Sequence, residues 1–119
     1  MENRYVRQKI LSEIGEEGQR EISKSSVAII GIGALGTVAA ELLVRSGIGK
    51  VLLIDRDVVE ITNLQRQTLF TEKDVGKSKV EVAVGKLREI NSTVNIGGEA
   101  LHLSAKNIGL LDDYDYVLD

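Results

Sequence analysis

The chain contains no cysteine, no proline and only one histidine. Without cysteine it forms no disulfide, holds no thiolate-bound zinc and performs no thiol chemistry within this stretch. His102 cannot build a metal cluster by itself and reads as a surface or strand-end side chain. No apolar run approaches the roughly 20 residues that a membrane span needs. The opening "MENRYVRQKI" carries charge with no apolar stretch behind it, so no signal peptide is expected and the cytoplasm is the expected location. Lys and Arg total 15 against 18 Asp and Glu, a formal charge of −3. That balance lacks the basic footprint of a nucleic-acid binder or of a protein that docks on anionic membranes. Internal repeats and low-complexity segments are also missing.

What is present is the make-up of a soluble globular chain, 43% hydrophobic and 28% charged. Its 119 residues amount to one domain at most. A chain this short buries only about two thirds of the surface its unfolded form exposes, which favours help from a partner chain.

The periodicities predict alternating helices and strands. Val6, Ile10, Leu11 and Ile14 share a helical face over 3–14, and Gly15 stops that helix. A short second helix runs from about Glu16 to Lys24, with Ile22 inward. "SVAIIG" is a continuous apolar run, as expected of a buried parallel strand. Leu35, Val38, Ala39, Leu42 and Leu43 then follow the spacing of a helix packed on a sheet, and "VLLID" forms the second strand. Residues 56–76 follow neither period. From Lys77 another helix is expected to bury Val80, Ala83, Val84 and Leu87, ending near Asn91. "VNIGGEAL" reads as a third strand weakened by Gly97 and Gly98. "SAKNIGLLDD" reads as a short helix capped by Ser104, and "DYVLD" opens a fourth strand. The expected fold is α/β, a Rossmann-like doubly wound and mainly parallel sheet with N-terminal helices. Ligands of such sheets bind beyond the carboxyl ends of the strands. The chain stops at the end of the fourth strand, so residues 1–119 read as one incomplete domain.

Gly31, Gly33 and Gly36 spell G-x-G-x-x-G between the first strand and the helix that follows. The first glycine permits a tight turn, the second lets backbone amides approach a phosphate, and the third allows close helix–strand packing. Asp55 follows Gly36 by 19 residues, where it can accept hydrogen bonds from ribose hydroxyls. The motif predicts a nucleotide but does not separate NAD, FAD, S-adenosylmethionine and ATP, each of which brings a ribose.

Four stretches carry a more specific resemblance: "RYVRQKIL", "GIGALG", "LIDRDVVEITNLQRQ" and "DVGKSKVEVA". In this order and spacing they resemble the ThiF/MoeB/HesA family, the bacterial and archaeal relatives of ubiquitin-activating E1 enzymes. The resemblance implies ATP-dependent adenylation of the C-terminal glycine of a ubiquitin-like, ThiS- or MoaD-like sulfur-carrier protein, with magnesium as the accompanying ion. Residues 1–119 would then be the N-terminal nucleotide-binding part of an E1-like adenylation domain.

By the same resemblance Asp55 holds the ribose, Asn63 and Arg66 contact the triphosphate, and Lys79 reaches the phosphates beside the reacting centre. Arg7 acts as an arginine finger that crosses a homodimer interface. The implied nucleotide contacts further include Ala34 and Leu35 in the glycine loop, Asp57 after the second strand, and Gln67. The nucleophile is a carboxylate already ionised at pH 7 and needs no general base. Fixed cations supply positioning and electrostatic stabilisation instead.

The family's Asp-x-x-Asp-Asn motif begins at Asp119. Its magnesium-organising Asp, the Cys residues and any zinc site are expected downstream of that residue. Two readings compete. An NAD-dependent oxidoreductase accounts for the glycines and Asp55 but leaves Asn63, Arg66, Lys79 and Arg7 as coincidence. A non-catalytic module for partner binding or dimerisation is the other. Thiamin, molybdopterin and tRNA-thiolation carriers, and tRNA-bound or peptide substrates, all remain compatible with the motifs.

Overall fold

The computed structural model of the protein describes residues 4–119. Helices α1 (Val6–Ile10) and α2 (Gly15–Lys24) precede β1 (Ser26–Ile30), α3 (Ala34–Ser46) and β2 (Lys50–Ile54). Then come α4 (Lys79–Ile90), β3 (Asn95–Glu99) and β4 (Tyr116–Leu118). The four strands form one sheet in the order β3-β2-β1-β4, and every pairing is parallel. The chain thus steps outward from β1 to β3 and returns to the other side of β1. The end of β1 is therefore the point where the winding reverses and where a crevice opens in such sheets.

Strand alternation divides the core in two. Val27, Ile29, Val51, Leu53 and Ile96 face α3 and α4, meeting Ala40, Val44, Val80, Ala83 and Leu87. Ala28, Leu52 and Ile54 face the other way, where Leu101, Leu103, Leu111 and Tyr114 pack on them.

Several expectations shift. The first helix breaks at Leu11, whose backbone is extended, well before Gly15. Gly15, with φ +59°, starts α2 instead of ending α1. Val6, Ile10 and Leu11 are exposed, so their shared spacing does not mark a buried face.

Helix α3 also buries the face opposite to the expected one. Thr37, Ala40 and Val44 are fully buried, whereas Leu35, Val38 and Leu42 are exposed, Leu35 by 87%. Close docking on the sheet selects the small residues. At Gly36 an added Cβ would lie 2.0 Å from the Gly31 carbonyl oxygen, so nothing larger than glycine lets the helix start there.

The glycines of β3 have the same kind of cause. A Cβ at Gly98 would lie 2.2 Å from Val80 Cγ1 and 2.9 Å from Val84 Cγ2, so α4 packs directly against the strand backbone. What reads in the sequence as a weak strand is a tightly covered one. The short helix expected from Ser104 is instead a turn, followed by a 3-10 helix over Ile108–Leu111 with Asn107 at its cap.

The aperiodic stretch 56–78 is ordered by backbone pairing. Val58 bridges Ser78, Val59 N–H donates to Lys77 O at 2.8 Å, and Lys79 N–H donates to Asp57 O at 3.0 Å. Asp74 anchors the far end of the loop. Its carboxylate accepts from the Thr71 N–H and hydroxyl and from the Lys86 ammonium, which also donates to Leu69 O.

Two glycines on or against α4 are expected to respond in opposite directions when changed to alanine. At exposed Gly85 an added Cβ meets nothing, so Gly85→Ala should stabilise by about 0.5–1 kcal/mol through helix propensity. Gly98→Ala should destabilise by about 1–3 kcal/mol through overpacking. Urea denaturation of the two variants checks this, and a tolerated alanine at 98 would refute the close packing.

Asp74 supplies a pH dependence. Burial pushes its carboxyl up, but the hydrogen bonds from Lys86 and Thr71 together hold it below the usual carboxylate range. The folded protein therefore gives up this proton more readily than the unfolded chain. The stabilisation is complete above about pH 4 and is lost as pH falls through the lower folded-state value. Asp74→Asn should be less stable than the native protein at pH 7, with a smaller loss on acidification. Parallel stability-versus-pH curves for the two would exclude this contribution.

Candidate functional site

Where β1 ends, Gly31 takes φ +92°, and its N–H donates to Ile54 O at 2.8 Å. The turn thereby passes over the end of β2. Gly33 caps α3 without any side-chain bond. The nearest atom to a Cβ added there is Gln67 Nε2, 3.9 Å away, so the space above the loop is open. The next N–H groups belong to the first turn of α3, where helical donors have no partner within the helix and the dipole favours an anion. Ala34 and Leu35 contribute through this backbone, since the Leu35 side chain points into solvent.

Asp55, just after β2, joins the two loops. One carboxylate oxygen accepts the Ile32 N–H at 2.7 Å and the other accepts the Asp57 N–H at 2.8 Å. Each oxygen keeps a further lone pair for a ligand hydroxyl.

Two cavities meet at this point. The first, about 270 Å³, lies between Gly31 and Asp55 on one side and Leu101, His102 and Leu103 on the other. The second, about 390 Å³, is lined by Val58, Glu60, Asn63 and Lys79. Arg56 and Asp57 line both, so the pair reads as one path with an apolar end and a polar end.

The polar end has two unusual side chains. Lys79, the first residue of α4, is 6% exposed. Among the described residues its ammonium makes neither an ion pair nor a hydrogen bond, and it lines the cavity. The side chain is largely enclosed while its unpaired ammonium opens on the cavity, where a cation attracts an anion. Asn63 is also buried; its Oδ1 accepts the Glu60 N–H at 2.8 Å, which orients the amide group along the cavity wall.

Gln67 is 3% exposed beside the glycine loop, and its Oε1 has no partner. Arg66 stands apart from these residues. It is exposed, donates from Nη1 to Thr62 O at 3.2 Å and lines neither cavity.

Arg7 lies at the other end of the sheet. Tyr5 packs against Gly47, the C-cap of α3. The 13 residues of α3 thus separate the segment carrying Arg7 from the glycine loop, a distance of about 20 Å. Within one chain the structure brings together Gly31, Gly33, Asp55, Asp57, Asn63, Gln67 and Lys79, and leaves Arg7 away from them.

The cavity-lining residues missed by sequence reasoning include Arg56, Val58, Glu60, Leu101, His102 and Leu103. The leucines alternate immediately after β3, a pattern that signals one covered face; nothing local indicates that His102 stands at a cavity rim. Among the described residues no group of three His, Cys, Asp or Glu side chains is placed to hold a metal ion. No helix there is long and apolar enough to cross a membrane.

Known proteins resemble this chain in sequence and in fold. The sulfur carrier protein ThiS adenylyltransferase of Bacillus subtilis is 46% identical over the whole chain, which spans 36% of that protein. The sulfur carrier protein adenylyltransferase of Thermus thermophilus is 39% identical over 98% of the chain and 44% of its own length. Among solved structures, E. coli tRNA N6-threonylcarbamoyladenosine dehydratase, TcdA, in complex with ATP superimposes with a TM-score of 0.88. It is 32% identical, over 97% of this chain and 47% of that one. The chain therefore spans less than half the length of these relatives. The ThiF family model matches residues 5–119, and the chain belongs to the ThiF family.

Proposed function

We propose that the protein adenylates the C-terminal carboxylate of a ubiquitin-like sulfur-carrier protein, with these residues supplying most of the ATP site. The observation that carries the reading is Lys79, a largely enclosed side chain whose ammonium has no partner among the described residues and faces a polar cavity that continues from a glycine loop.

The two cavities suggest how the nucleotide lies. Leu101 and Leu103 offer an apolar wall for a base, Asp55 offers carboxylate oxygens to the ribose hydroxyls, and the loop amides lead toward Asn63 and Lys79. In the reaction a carboxylate oxygen of the carrier attacks the α-phosphorus, and the bond to the bridging α–β oxygen breaks. The products are an acyl-adenylate and pyrophosphate. No proton moves in this step, which suits a site without a general base.

Lys79 and the loop amides are assigned to the charge that develops on the phosphates. Arg66 is assigned to the triphosphate after it releases Thr62 O. Gln67, with its unpartnered Oε1 beside Gly33, is assigned to a donor group of the bound nucleotide, a ribose hydroxyl or the base amino group. Magnesium is proposed to arrive with the triphosphate, since Mg²⁺ commonly binds through one or two carboxylates plus phosphates. Asp57 is the carboxylate placed for it, lining both cavities. The protein is assigned to the cytoplasm, in keeping with its use of ATP.

Arg7 is assigned to the site of a second copy. Its place at the far end of α3 argues against action within its own chain. Its helix also exposes Val6, Ile10 and Leu11, apolar side chains that a partner subunit would cover.

The readings diverge at Lys79. In the full gene product, Lys79→Ala should lower carrier-dependent ATP–pyrophosphate exchange by about 10²–10³-fold, the usual cost of removing one preorganised charge-stabilising group. Calorimetry should show saturable binding of magnesium-ATP and none of NAD. An oxidoreductase would bind NAD and tolerate the alanine. Exchange that survives Lys79→Ala would overturn the assignment.

A further inference from the structure

Helix α1 presents a physical problem. It has five residues, none of them buried. A helix this short is not stable through its own hydrogen bonds, and its apolar side chains lie largely in solvent. Neither propensity nor hydrophobic burial therefore holds it in place.

Polar bonds do so instead. Tyr5 lays its ring on Gly47, where a Cβ would come within 2.5 Å of the ring, and Gly47 itself has φ +89°. Asn91, fully buried at the end of α4, donates from Nδ2 to Tyr5 Oη at 2.8 Å and to Val44 O at 2.9 Å. The Thr93 hydroxyl donates to Asn91 Oδ1 at 2.7 Å. Its single proton is then used, so at 3.2 Å the Tyr5 hydroxyl donates to Thr93 Oγ1. Tyr5, Thr93 and Asn91 form a closed ring of hydrogen bonds in which every donor has an acceptor.

Gln8 adds a second tie, donating from Nε2 to Ser46 O at 3.0 Å. These bonds end on carbonyls of the last turn of α3, Val44 O, which also accepts the Gly47 N–H at 3.1 Å, and Ser46 O. Arg7 lies between the two ties, exposed.

We infer that Tyr5, with Thr93 and Asn91, is a positioning device for Arg7, orienting the short helix so that its guanidinium enters the active site of the partner subunit. The inference rests on the proposed action of Arg7 in trans. Directional bonds set the rotation of a helix, which apolar contact alone does not. A displacement of about 1 Å at a reacting centre is enough to cost about a hundredfold in rate. Tyr5 touches no reacting atom in this scheme and acts only through Arg7.

The test uses mixed dimers of the full gene product, assayed by carrier-dependent pyrophosphate exchange. Pairing Arg7→Ala subunits with Lys79→Ala subunits should restore activity, because one site then combines an intact Lys79 with an arginine from the other subunit. Tyr5→Phe keeps the ring on Gly47 and deletes only the hydroxyl. As a homodimer it should lower kcat by roughly tenfold, with the KM for ATP unchanged. Thr93→Val, which opens the same ring from another side, should act in the same direction.

Placing Tyr5→Phe in the Lys79→Ala subunit, which supplies the arginine, should reproduce that loss in the mixed dimer. Placing it in the Arg7→Ala subunit, which supplies the site, should leave the restored activity intact. A defect that follows the site-bearing subunit, or no kcat effect from either variant, would overturn the inference. Failure of the first pairing to restore any activity would instead sink the action of Arg7 in trans, and the inference with it.

Discussion

Among the glycines, Gly36 leaves the least room for a side chain, beneath the carbonyl of Gly31. An added Cβ at Gly36 would lie 2.0 Å from that oxygen, so α3 begins almost in contact with the end of β1. Three further features follow. The free amides of the first turn stand over the strand ends, where a phosphate would sit. The buried face of α3 is reduced to Thr37, Ala40 and Val44, because bulkier residues would lift the helix off the sheet. Its far end, Val44 to Gly47, is carried to the opposite edge of the sheet, where Tyr5 and Gln8 meet it. Asp55 locks the near end by holding Ile32 and Asp57 through one carboxylate. The geometry of the glycine loop and the placement of the N-terminal segment are thus two ends of one rigid element.

Order and type of the main elements were legible because they are local. Apolar runs of five residues, the glycine spacing and the 3.6 period of α4 each lie within one segment. The face of α3 was not legible. Leu35, Val38 and Leu42 satisfy the helical period as well as Thr37, Ala40 and Val44 do, and a count of apolar bulk favours the leucines. The decision belongs to the sheet, which admits only small side chains at that distance. Gly97 and Gly98 misled in the same way, since the absence of side chains marks close approach by Val80 and Val84 as readily as weakness.

The site shows the same division. Gly31, Gly33, Gly36 and Asp55 are spaced by local chain geometry and could be read directly. Asn63 and Lys79 were recognised by resemblance, but their shared cavity depends on a bridge between Val58 and Ser78, some twenty residues apart. Leu101, His102 and Leu103 reach the cavity only because β3 pairs with β2 and its exit passes the end of β1. No window of sequence contains that information. The lone orphan oxygen of Gln67 is similarly a product of the fold.

The charges around the cavity explain why the cations are deployed unequally. Asp55, Asp57 and Glu60 line the path, and Lys79 is the cation buried within it. A polyanionic substrate needs more positive charge than that, yet burying several unpaired cations in the empty site would be severely destabilising. The protein keeps the Lys79 ammonium in the cavity wall, while Arg56, at the junction of the cavities, and Arg66 are exposed. Arg66 rests on Thr62 O through a single exposed hydrogen bond, a contact that contributes only about 1 kcal/mol and is readily given up. A charge-assisted bond to a phosphate in a partly desolvated site is stronger, so the proposed substrate would be sufficient to draw Arg66 inward. In the proposed dimer Arg7 extends the same logic, because an arginine held by another subunit adds no unpaired charge to the empty site. On the proposed assignment Lys79 sets the affinity for an anion, while Arg66 and Arg7 respond to one already in place.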